Sequence, residues 1–238
     1  MELTVRPVEV KEILPWRELY RQEMNCQIVH DSLHVREGWT VPYLLESDGE
    51  AIGYGSIAVG GPWVGTRTVF EFFVAGKERS RFFEAFEALR AASEADAIET
   101  QTNDVMLTAM LHTWAHDVFS EKIVFEDKLT TAYRAPGAAL RKREPEGDWM
   151  LLEAGGEVAG TGGILYHYNR PYGDIWMEVA EPFRRRGFGT YLVQELKRIC
   201  REGGSVPCAR CNTENVASRK TLQKAGFVPC AHMLRGKL

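Results

Sequence analysis

Hydrophobic residues recur in the second half of the chain with the period of two typical of strands and the period near 3.6 typical of helices. Leu192, Leu196 and Ile199 mark the longest helical run, which Gly203-Gly204 closes. A Gly155-Gly156 pair between two alternating runs predicts a hairpin. The pattern predicts three strands, a helix, a strand, a helix and a strand, over residues 150–154, 158–167, 174–180, 189–201, 205–211, 215–224 and 227–233.

The first half has the same order of elements. An opening strand at 3–6 and an amphipathic helix carrying Ile13, Leu14 and Leu19 come first. The elements that follow are predicted over residues 41–47, 50–59, 66–74, 80–92, 97–101, 105–116 and 118–125, with helices at 80–92 and 105–116. Residues 130–134 resemble the opening strand of the second half, whose first helix is shortened or lost within residues 137–147.

A direct repeat relates the two halves. The segments YLLESDGEAIGYGSI from Tyr43 and MLLEAGGEVAGTGGI from Met150 are identical at eight of fifteen positions, at a constant offset of 107 residues. Chance gives about one identity, so the repeat indicates duplication. At the same offset Glu71 falls on Glu178. We therefore predict an α/β (α+β) fold of two tandem domains, 1–127 and 128–238, each a mixed, mostly antiparallel sheet flanked by helices.

Composition places the chain among soluble globular proteins. Of 238 residues, 45% are hydrophobic and 26% charged, and mean hydropathy is −0.26, which argues against disorder, collagen and a disulfide scaffold. No run approaches the ~18 apolar residues of a membrane helix, and MELTVRPVEV does not resemble a signal peptide. We expect a cytoplasmic protein with no membrane partner.

Charge is distributed unevenly along the chain. Residues 1–127 hold 11 Lys/Arg and 22 Asp/Glu, a balance of −11, whereas the remainder holds 18 and 11, a balance of +7. The first half should attract cations and the second anions, unless both are simply solvated surfaces. The acidic net charge and the scattered tryptophans argue against a nucleic-acid partner.

Cysteine and histidine spacings offer only weak metal motifs. Cys208 and Cys211 form a CxxC, but they lie in a strand-like run, so buried thiols are favoured over zinc. His112 and His116 have the i, i+4 spacing of zinc ligands, but Thr113 stands where a zinc protease needs Glu. His30 and His34 share that spacing without further support. We predict no metal.

The chemical signal in the sequence that stands out is the turn RRRGFG, residues 184–189, between a strand and a helix. Backbone N–H groups at such a turn point outward with the helix dipole behind them, and glycine lets a ligand approach closely. Three arginines add positive charge. This is chemistry for a diphosphate, although an ordinary helix N-terminus explains the bare pattern as well.

The turn is followed by a helix, a strand and the segment N-x-x-S-x-x-x-L-x-K-x-G-F from Asn215 to Phe227. This order of motifs resembles the GNAT superfamily of acetyl-CoA-dependent N-acetyltransferases. The resemblance covers about 150–233 well and 3–125 only as a skeleton, so the whole chain resembles tandem GNAT proteins. It implies acetyl-CoA as co-substrate, without a metal. The cofactor contacts that it implies are Val179, Arg184, Arg185, Arg186, Gly187, Phe188, Gly189, Thr190, Asn215 and Ser218. Lys220 and Lys224 are either nucleotide contacts or plain surface lysines.

The first copy departs from this pattern at the turn. At the offset of 107, Gly187 falls on Ser80, Gly189 on Phe82 and Arg185 on Glu78. We predict that the first domain is degenerate and binds no cofactor, which leaves one acetyl-CoA per chain.

Catalytic residues are less evident than cofactor residues. A primary amine with a pKa near ~10 needs a base, and Glu178 in the cofactor strand is the first candidate, with Asp174 in reserve. The alternative is that Glu178 is a solvent-facing or arginine-paired carboxylate. The tyrosine that the family often uses as general acid is replaced by Leu222, and Arg210 stands where some members carry glutamate.

Two classes of function follow from the resemblance. The favoured one is N-acetyl transfer, by direct attack in a ternary complex, to a small-molecule amine that the acidic half would help to attract if it is cationic; a protein N-terminus or lysine is the less favoured acceptor. The other is a non-catalytic acyl-CoA-binding sensor or interaction protein. An aminoacyl-transferase built on the same double fold is a narrower option. The acceptor, acyl length and oligomeric state stay open.

Overall fold

The structure, a computed structural model, describes residues 2–144 and 149–238. Its contacts divide the chain into two compact units: unit 1, Met1–Glu121 with His232–Leu238, and unit 2, Lys122–Ala231. Residues 122–127 thus lie in unit 2 and residues 232–238 in unit 1, on the other side of the predicted boundary at 127. Unit 1 holds 12 Lys/Arg against 20 Asp/Glu, whereas unit 2 holds 17 against 13. The predicted difference in charge therefore follows the units.

Unit 1 forms a mostly antiparallel sheet in which β4 and β5 pair in parallel. Its strand order is β1-β2-β3-β4-β5, followed by the last part of β12, which pairs antiparallel with β5. Its elements are β1 Leu3–Pro7, α1 Val10–Met24, β2 Thr40–Ser47, β3 Glu50–Ala58, β4 Thr68–Val74, α2 Phe82–Ser93, β5 Ala97–Gln101 and α3 Val105–Trp114. Two further strands, β6 His116–Asp127 and β12 Phe227–Lys237, contribute residues to both units.

Both faces of the unit 1 sheet are buried. All seven residues of β4 are buried, so its side chains pack to either side. Phe72 and Val74 pack with residues of α2 and α3, such as Phe86 and Leu111. Phe73 packs on the opposite face with Ile13 and Tyr20 of α1.

Unit 2 repeats the arrangement with fewer helices. Its strand order is β12-β6-β11-β10-β9-β8-β7, and within it β10 and β11 pair in parallel. Its own elements are β7 Ala138–Lys142, β8 Trp149–Ala154, β9 Glu157–Leu165, β10 Tyr172–Val179, α4 Phe188–Glu202, β11 Val206–Asn212 and α5 Val216–Lys224. Leu192, Leu196 and Leu222 of the two helices pack on one face of the sheet. None of the helices in the described ranges is long and apolar enough to span a membrane.

The predicted duplication is confirmed in the register of the hairpins. Ser47 pairs with Glu50 in unit 1, and Ala154 with Glu157 in unit 2. Each hairpin also has a register shift at the same place, between Leu45 and Glu46 and between Leu152 and Glu153. A bulge at matching positions is a feature of the backbone that the two copies share.

One sequence prediction is wrong at the start of unit 2. Residues 130–134 are not a strand, and the first strand of unit 2 is β7 instead. The backbone of Tyr133 bonds to the Gln194 side chain rather than to a neighbouring strand. The first helix was predicted to be shortened or lost within residues 137–147; residues 137–144 contain no helix, and residues 145–147 lie outside the described residues.

Helix α1 buries a different face from the one predicted. Leu14 and Leu19 are about half exposed, at 48% and 46%. Ile13 is buried, but it shares its helical face with Arg17 and Tyr20, at spacings of four and three. The apolar pattern missed this face because Arg17 is charged, and its charge is neutralised inside the unit by Glu71 and Asp31.

Candidate active site

A groove of about 1320 Å³ in unit 2 is lined by the end of β10, the turn after it, the start of α4 and the first turns of α5. The structure brings together in this groove all the residues that the resemblance implied for the cofactor. Glu178, Lys220 and Lys224 line it too. The lining residues from the sequence prediction are Glu178, Val179, Arg184, Arg185, Arg186, Gly187, Phe188, Gly189, Thr190, Asn215, Ser218, Lys220 and Lys224.

The turn before α4 has the backbone shape that an anion site needs. Gly187 is the N-cap of α4 with φ +87°, and Arg185 is also left-handed at φ +61°. The first main-chain bond into the helix runs from Tyr191 N–H to the Gly187 carbonyl. The N–H groups just before it lack intrahelical acceptors, as at every helix start. They therefore point into the groove beside the positive end of the helix dipole.

Tyr133 also lines this groove, and the sequence analysis missed it. Its phenol lies against Gly187, where an added Cβ would collide with the hydroxyl oxygen. The residue reaches this place because Gln194 of α4 accepts from its N–H at 2.7 Å and donates to its carbonyl at 3.1 Å. No local motif around Tyr133 reveals such a contact. A signal in the sequence was Gln194, 61 residues later, because a polar side chain at a half-buried helix position needs a hydrogen-bond partner.

Strands β10 and β11 separate beside the groove. Their parallel pairing ends at Ile175 and Ala209, although the strands continue to Val179 and Asn212. Ala180 N–H donates to Ala159 on the β9 side. The N–H and C=O groups of successive residues in a strand point to alternate sides. Since Ala180 N–H points to β9, the backbone groups of Met177 and Val179 face the gap on the β11 side. Arg184 Nε donates to the Val179 carbonyl at 3.1 Å and joins the turn to the strand end.

Helix α5 forms the opposite wall. Asn215 is its N-cap, with Oδ1 accepting from Ser218 N–H at 3.0 Å. The Asn-x-x-Ser spacing thus has a structural cause, since the asparagine fixes the first turn of the helix. Lys220 and Lys224 follow on the groove side and add positive charge.

A smaller cavity of about 200 Å³ lies at the gap between β10 and β11; we call it the inner cavity. It shares Met177 and Ser218 with the groove, so the two are neighbours. Leu222, at the place of the family's tyrosine, also lines it. Asp174 and Arg210 form an ion pair in its wall at 3.2 Å.

The two candidate bases have different surroundings. Glu178 is exposed and lies on the strand face opposite to Met177 and Val179, which pack against the core. Asp174 lies on the same face as Glu178 but is buried and paired with Arg210. Glu178 is therefore the carboxylate that is open to solvent, whereas Asp174 is engaged in an ion pair.

The structure corrects the alignment of the two copies at the turn. Arg79 Nε donates to the Val74 carbonyl, as Arg184 Nε does to Val179, and these pairs are 105 residues apart. Unit 1 has one extra residue in the β3–β4 connection and another in β4 at its register shift with β3, so the offset falls from 107 to 105. Glu71 therefore corresponds to Trp176, and Glu178 to Phe73, so the predicted match of Glu71 with Glu178 is wrong.

With the corrected alignment, the turn before α4 differs more from the corresponding segment of unit 1. Gly187 now corresponds to Phe82 and Gly189 to Glu84, instead of Ser80 and Phe82. In unit 1 a 3₁₀ turn at Gly76–Arg81 leads straight into α2, whose N-cap Arg81 has φ −107°. The left-handed glycine and the wide turn of unit 2 have no counterpart at this place.

Glu71 belongs to a buried polar network in unit 1 that sequence analysis did not predict. Arg17 donates to both its oxygens at 3.1 Å, and His34 and Tyr54 contact Oε2 at 2.9 and 2.8 Å. Burial alone would raise the pKa of Glu71, but Arg17 and His34 hold it below its ordinary value. The carboxylate therefore stays charged in the core and fixes α1 against the sheet.

The metal motifs do not assemble into sites in the described residues. His30 and His34 pair with different glutamates, Glu99 and Glu71. His112 lies in α3, whereas His116 begins β6. Cys208 and Cys211 are three positions apart on a strand and so face opposite sides. Burial raises the pKa of both thiols, which keeps them protonated.

The family comparison agrees with the fold and the site. The model of the acetyltransferase (GNAT) family matches residues 108–227, just over half of the chain. The protein is an acyltransferase. The chain belongs to the GNAT family. No curated protein has a significant sequence match to the chain.

Solved structures share the fold along the whole chain. A GNAT-family acetyltransferase from Colwellia psychrerythraea is 12% identical, with a TM-score of 0.74 and 99% of each chain covered. A GCN5-related N-acetyltransferase from Sphaerobacter thermophilus is 14% identical, with a TM-score of 0.63 and coverage of 99% of this chain and 95% of its own. A tandem GNAT protein from the clavulanic acid biosynthesis pathway is 14% identical, with a TM-score of 0.59 over 99% and 98%. At these identities the likeness shows the fold.

Proposed function

We propose that this enzyme transfers an acetyl group from acetyl-CoA to a small-molecule amine, and that unit 2 alone binds the donor. The supporting observation is the groove of about 1320 Å³, where the left-handed Gly187, three arginines and the start of α4 meet. A diphosphate suits such a helix start, because main-chain N–H groups and the helix dipole both favour negative charge. The excess of Lys/Arg in unit 2 supports an anionic ligand.

Residues at different places along the groove would have different roles in the reaction. The amides and arginines of residues 184–190 anchor the diphosphate, and the backbone groups of Met177 together with the Val179 N–H align the pantetheine arm toward the inner cavity. A neutral amine attacks the thioester carbon, a C–N bond forms, and the C–S bond breaks with its electron pair on sulfur. Glu178 takes the proton that the amine loses, directly or through water.

Donor binding is tested with a matched pair of variants. Arg184→Gln removes a groove arginine, whereas Arg79→Gln removes the same strand-end contact from unit 1. Calorimetric titration of the wild type should give one acetyl-CoA per chain. We expect Arg184→Gln to weaken binding about tenfold, the worth of a hydrogen bond to a charged group, and Arg79→Gln to leave it unchanged. A stoichiometry near two, or equal losses in both variants, contradicts the proposal.

Acetyl transfer is tested with a panel of cationic, neutral and anionic amines, by following the release of free thiol. Unit 1 holds eight more acidic than basic residues, which supports a cationic acceptor. Glu178→Gln should lower kcat about 100-fold at neutral pH and recover as rising pH deprotonates the amine itself. Glu202→Gln, at an exposed site on α4, is the control. Binding of acetyl-CoA without thiol release for any amine contradicts the proposal.

A further inference from the structure

The inner cavity is lined by a positively charged side chain, Arg210, and lacks the tyrosine that the family often uses there as general acid. Leu222 stands where the family often has a tyrosine, and its side chain is buried and apolar. Arg210 of β11 lines the same cavity, with a side chain only 23% exposed. The cavity adjoins the groove through Met177 and Ser218. Whatever part of a donor enters the gap between β10 and β11 therefore comes close to this guanidinium.

Arg210 is held in a fixed place. Its Nη2 contacts Asp174 Oδ2 at 3.2 Å and the hydroxyl of Tyr168, and its guanidinium lies 4.8 Å from the centre of the Tyr168 ring. Asp174 and Tyr168 are titratable groups that contact it, and burial raises the pKa of Cys208, close by on the same strand, so this thiol stays neutral. Both of these polar contacts are made by Nη2. The guanidinium has further N–H donors on its other two nitrogens.

We propose that Arg210 stabilises the thiolate that leaves during acyl transfer, and so replaces a general acid by a fixed positive charge. This inference rests on the proposed function, since the thioester must lie in the gap. As the C–S bond breaks, the electron pair stays on sulfur beside the guanidinium. Arginine keeps its proton at all relevant pH values, so the thiolate is protonated by water after release. A preorganised charge of this kind lowers the barrier without a proton transfer.

The direct test is the pKa of the CoA thiol in the binary complex, which needs no turnover. Thiolate absorbance is titrated for CoA bound to the enzyme, and the complex with desulfo-CoA is subtracted to remove protein thiols and tyrosines. An opposite charge within a few ångströms lowers a pKa by about one to three units. We expect such a decrease in the wild type and in Arg210→Lys, and the ordinary thiol pKa in Arg210→Gln. An ordinary thiol pKa in the wild type overturns the inference.

Two controls separate electrostatics from folding. Arg210→Gln leaves Asp174 buried without its cation, which is destabilising, so the double variant Asp174→Asn with Arg210→Gln removes both charges together. It should also show the ordinary thiol pKa while still binding CoA. Arg198→Gln removes an exposed arginine that pairs with Glu195 and Glu202 on its own helix, and it should behave as the wild type. A lowered thiol pKa that persists in the double variant overturns the inference.

Kinetics give an independent measurement. Arg210→Gln should lower kcat about 100-fold, within the range for loss of one group that stabilises developing charge, with KM for acetyl-CoA nearly unchanged. A variant with raised KM and unchanged kcat means that Arg210 only binds the donor, and the inference is then wrong. If the wild type binds no CoA at all, the proposed function fails. If it binds CoA with an ordinary thiol pKa, the proposed function survives and this inference alone fails.

Discussion

Gly187 shows how much can depend on one residue. Its φ of +87° costs a residue with a Cβ about 1–2 kcal/mol, and the same Cβ would collide with Tyr133. We expect Gly187→Ala to lower the affinity for acetyl-CoA at least tenfold, measured by calorimetric titration. The double variant with Tyr133→Ala removes the collision but keeps the backbone strain. It should recover part of the loss; an unchanged affinity in Gly187→Ala means that this turn does not hold the donor.

Asp104 of unit 1 makes stability depend on pH. Burial raises its pKa to about 7, even though Leu107 N–H and the Tyr20 hydroxyl donate to the carboxylate. An unfolded aspartate has a pKa of about 3.9, so between these values the folded state retains a proton that the unfolded state has lost. Its favourable contribution is complete below about pH 4 and is lost as pH rises through 7.

Asp104→Asn tests this dependence. Its amide oxygen can still accept from Leu107 N–H, so we expect the variant to gain stability relative to the wild type between pH 4 and pH 8. The measurement is the free energy of unfolding in denaturant across that range. Asp117→Asn is the control, because Asp117 is exposed and its hydrogen bond with Lys237 lowers its pKa. A stability difference that does not change with pH contradicts the assignment for Asp104.

At the scale of elements, the segment 128–133 is fixed by α4 and by the turn after α5. Lys197 Nζ donates to the carbonyls of Leu129 and Ala225, and Leu129 N–H donates to Gly226. Gln194 then holds Tyr133 beside Gly187. An irregular segment is thus anchored by side chains from a helix, and its last residue becomes part of the groove wall.

Gln194→Leu tests this anchoring. The variant loses both bonds to the Tyr133 backbone, which should cost about 1–3 kcal/mol of unfolding free energy. Hydrogen exchange should increase within 128–133 while the core of α4 stays protected. Gln223→Leu on the exposed side of α5 is the matched control. Equal exchange in the two variants contradicts this role of Gln194.

Local pattern predicted most elements, and the reasons for its failures are physical. The hairpins, α4 and α5 were predictable because their apolar periods coincide with burial in one core. The face of α1 was not, because Arg17 is buried through ion pairs with residues far away in sequence. The alignment of the copies failed at β4 because single extra residues in a loop and at a strand bulge carry no hydrophobic signal. The groove residues were predictable because they are consecutive, whereas Tyr133 was not.

At the scale of the whole molecule, unit 1 depends on a segment from a distant part of the sequence, whereas unit 2 is continuous. Met233 to Lys237 pair with Gln101 to Ala97 of β5, and Met233 is fully buried in unit 1. Deletion of residues 232–238 should therefore destabilise unit 1 and leave the unit 2 groove intact. Limited proteolysis should cut first within 2–121, while titration still gives acetyl-CoA binding. Loss of binding with unit 1 still resistant contradicts this division.

The contribution of residues 232–238 to unit 1 has a consequence for synthesis. A ribosome makes residues 2–121 first, and domains usually fold in that order as they emerge. Here the strand that covers β5 is translated only after the whole of unit 2. The β5 edge of the unit 1 sheet therefore has no partner strand until the later half of the chain has been made.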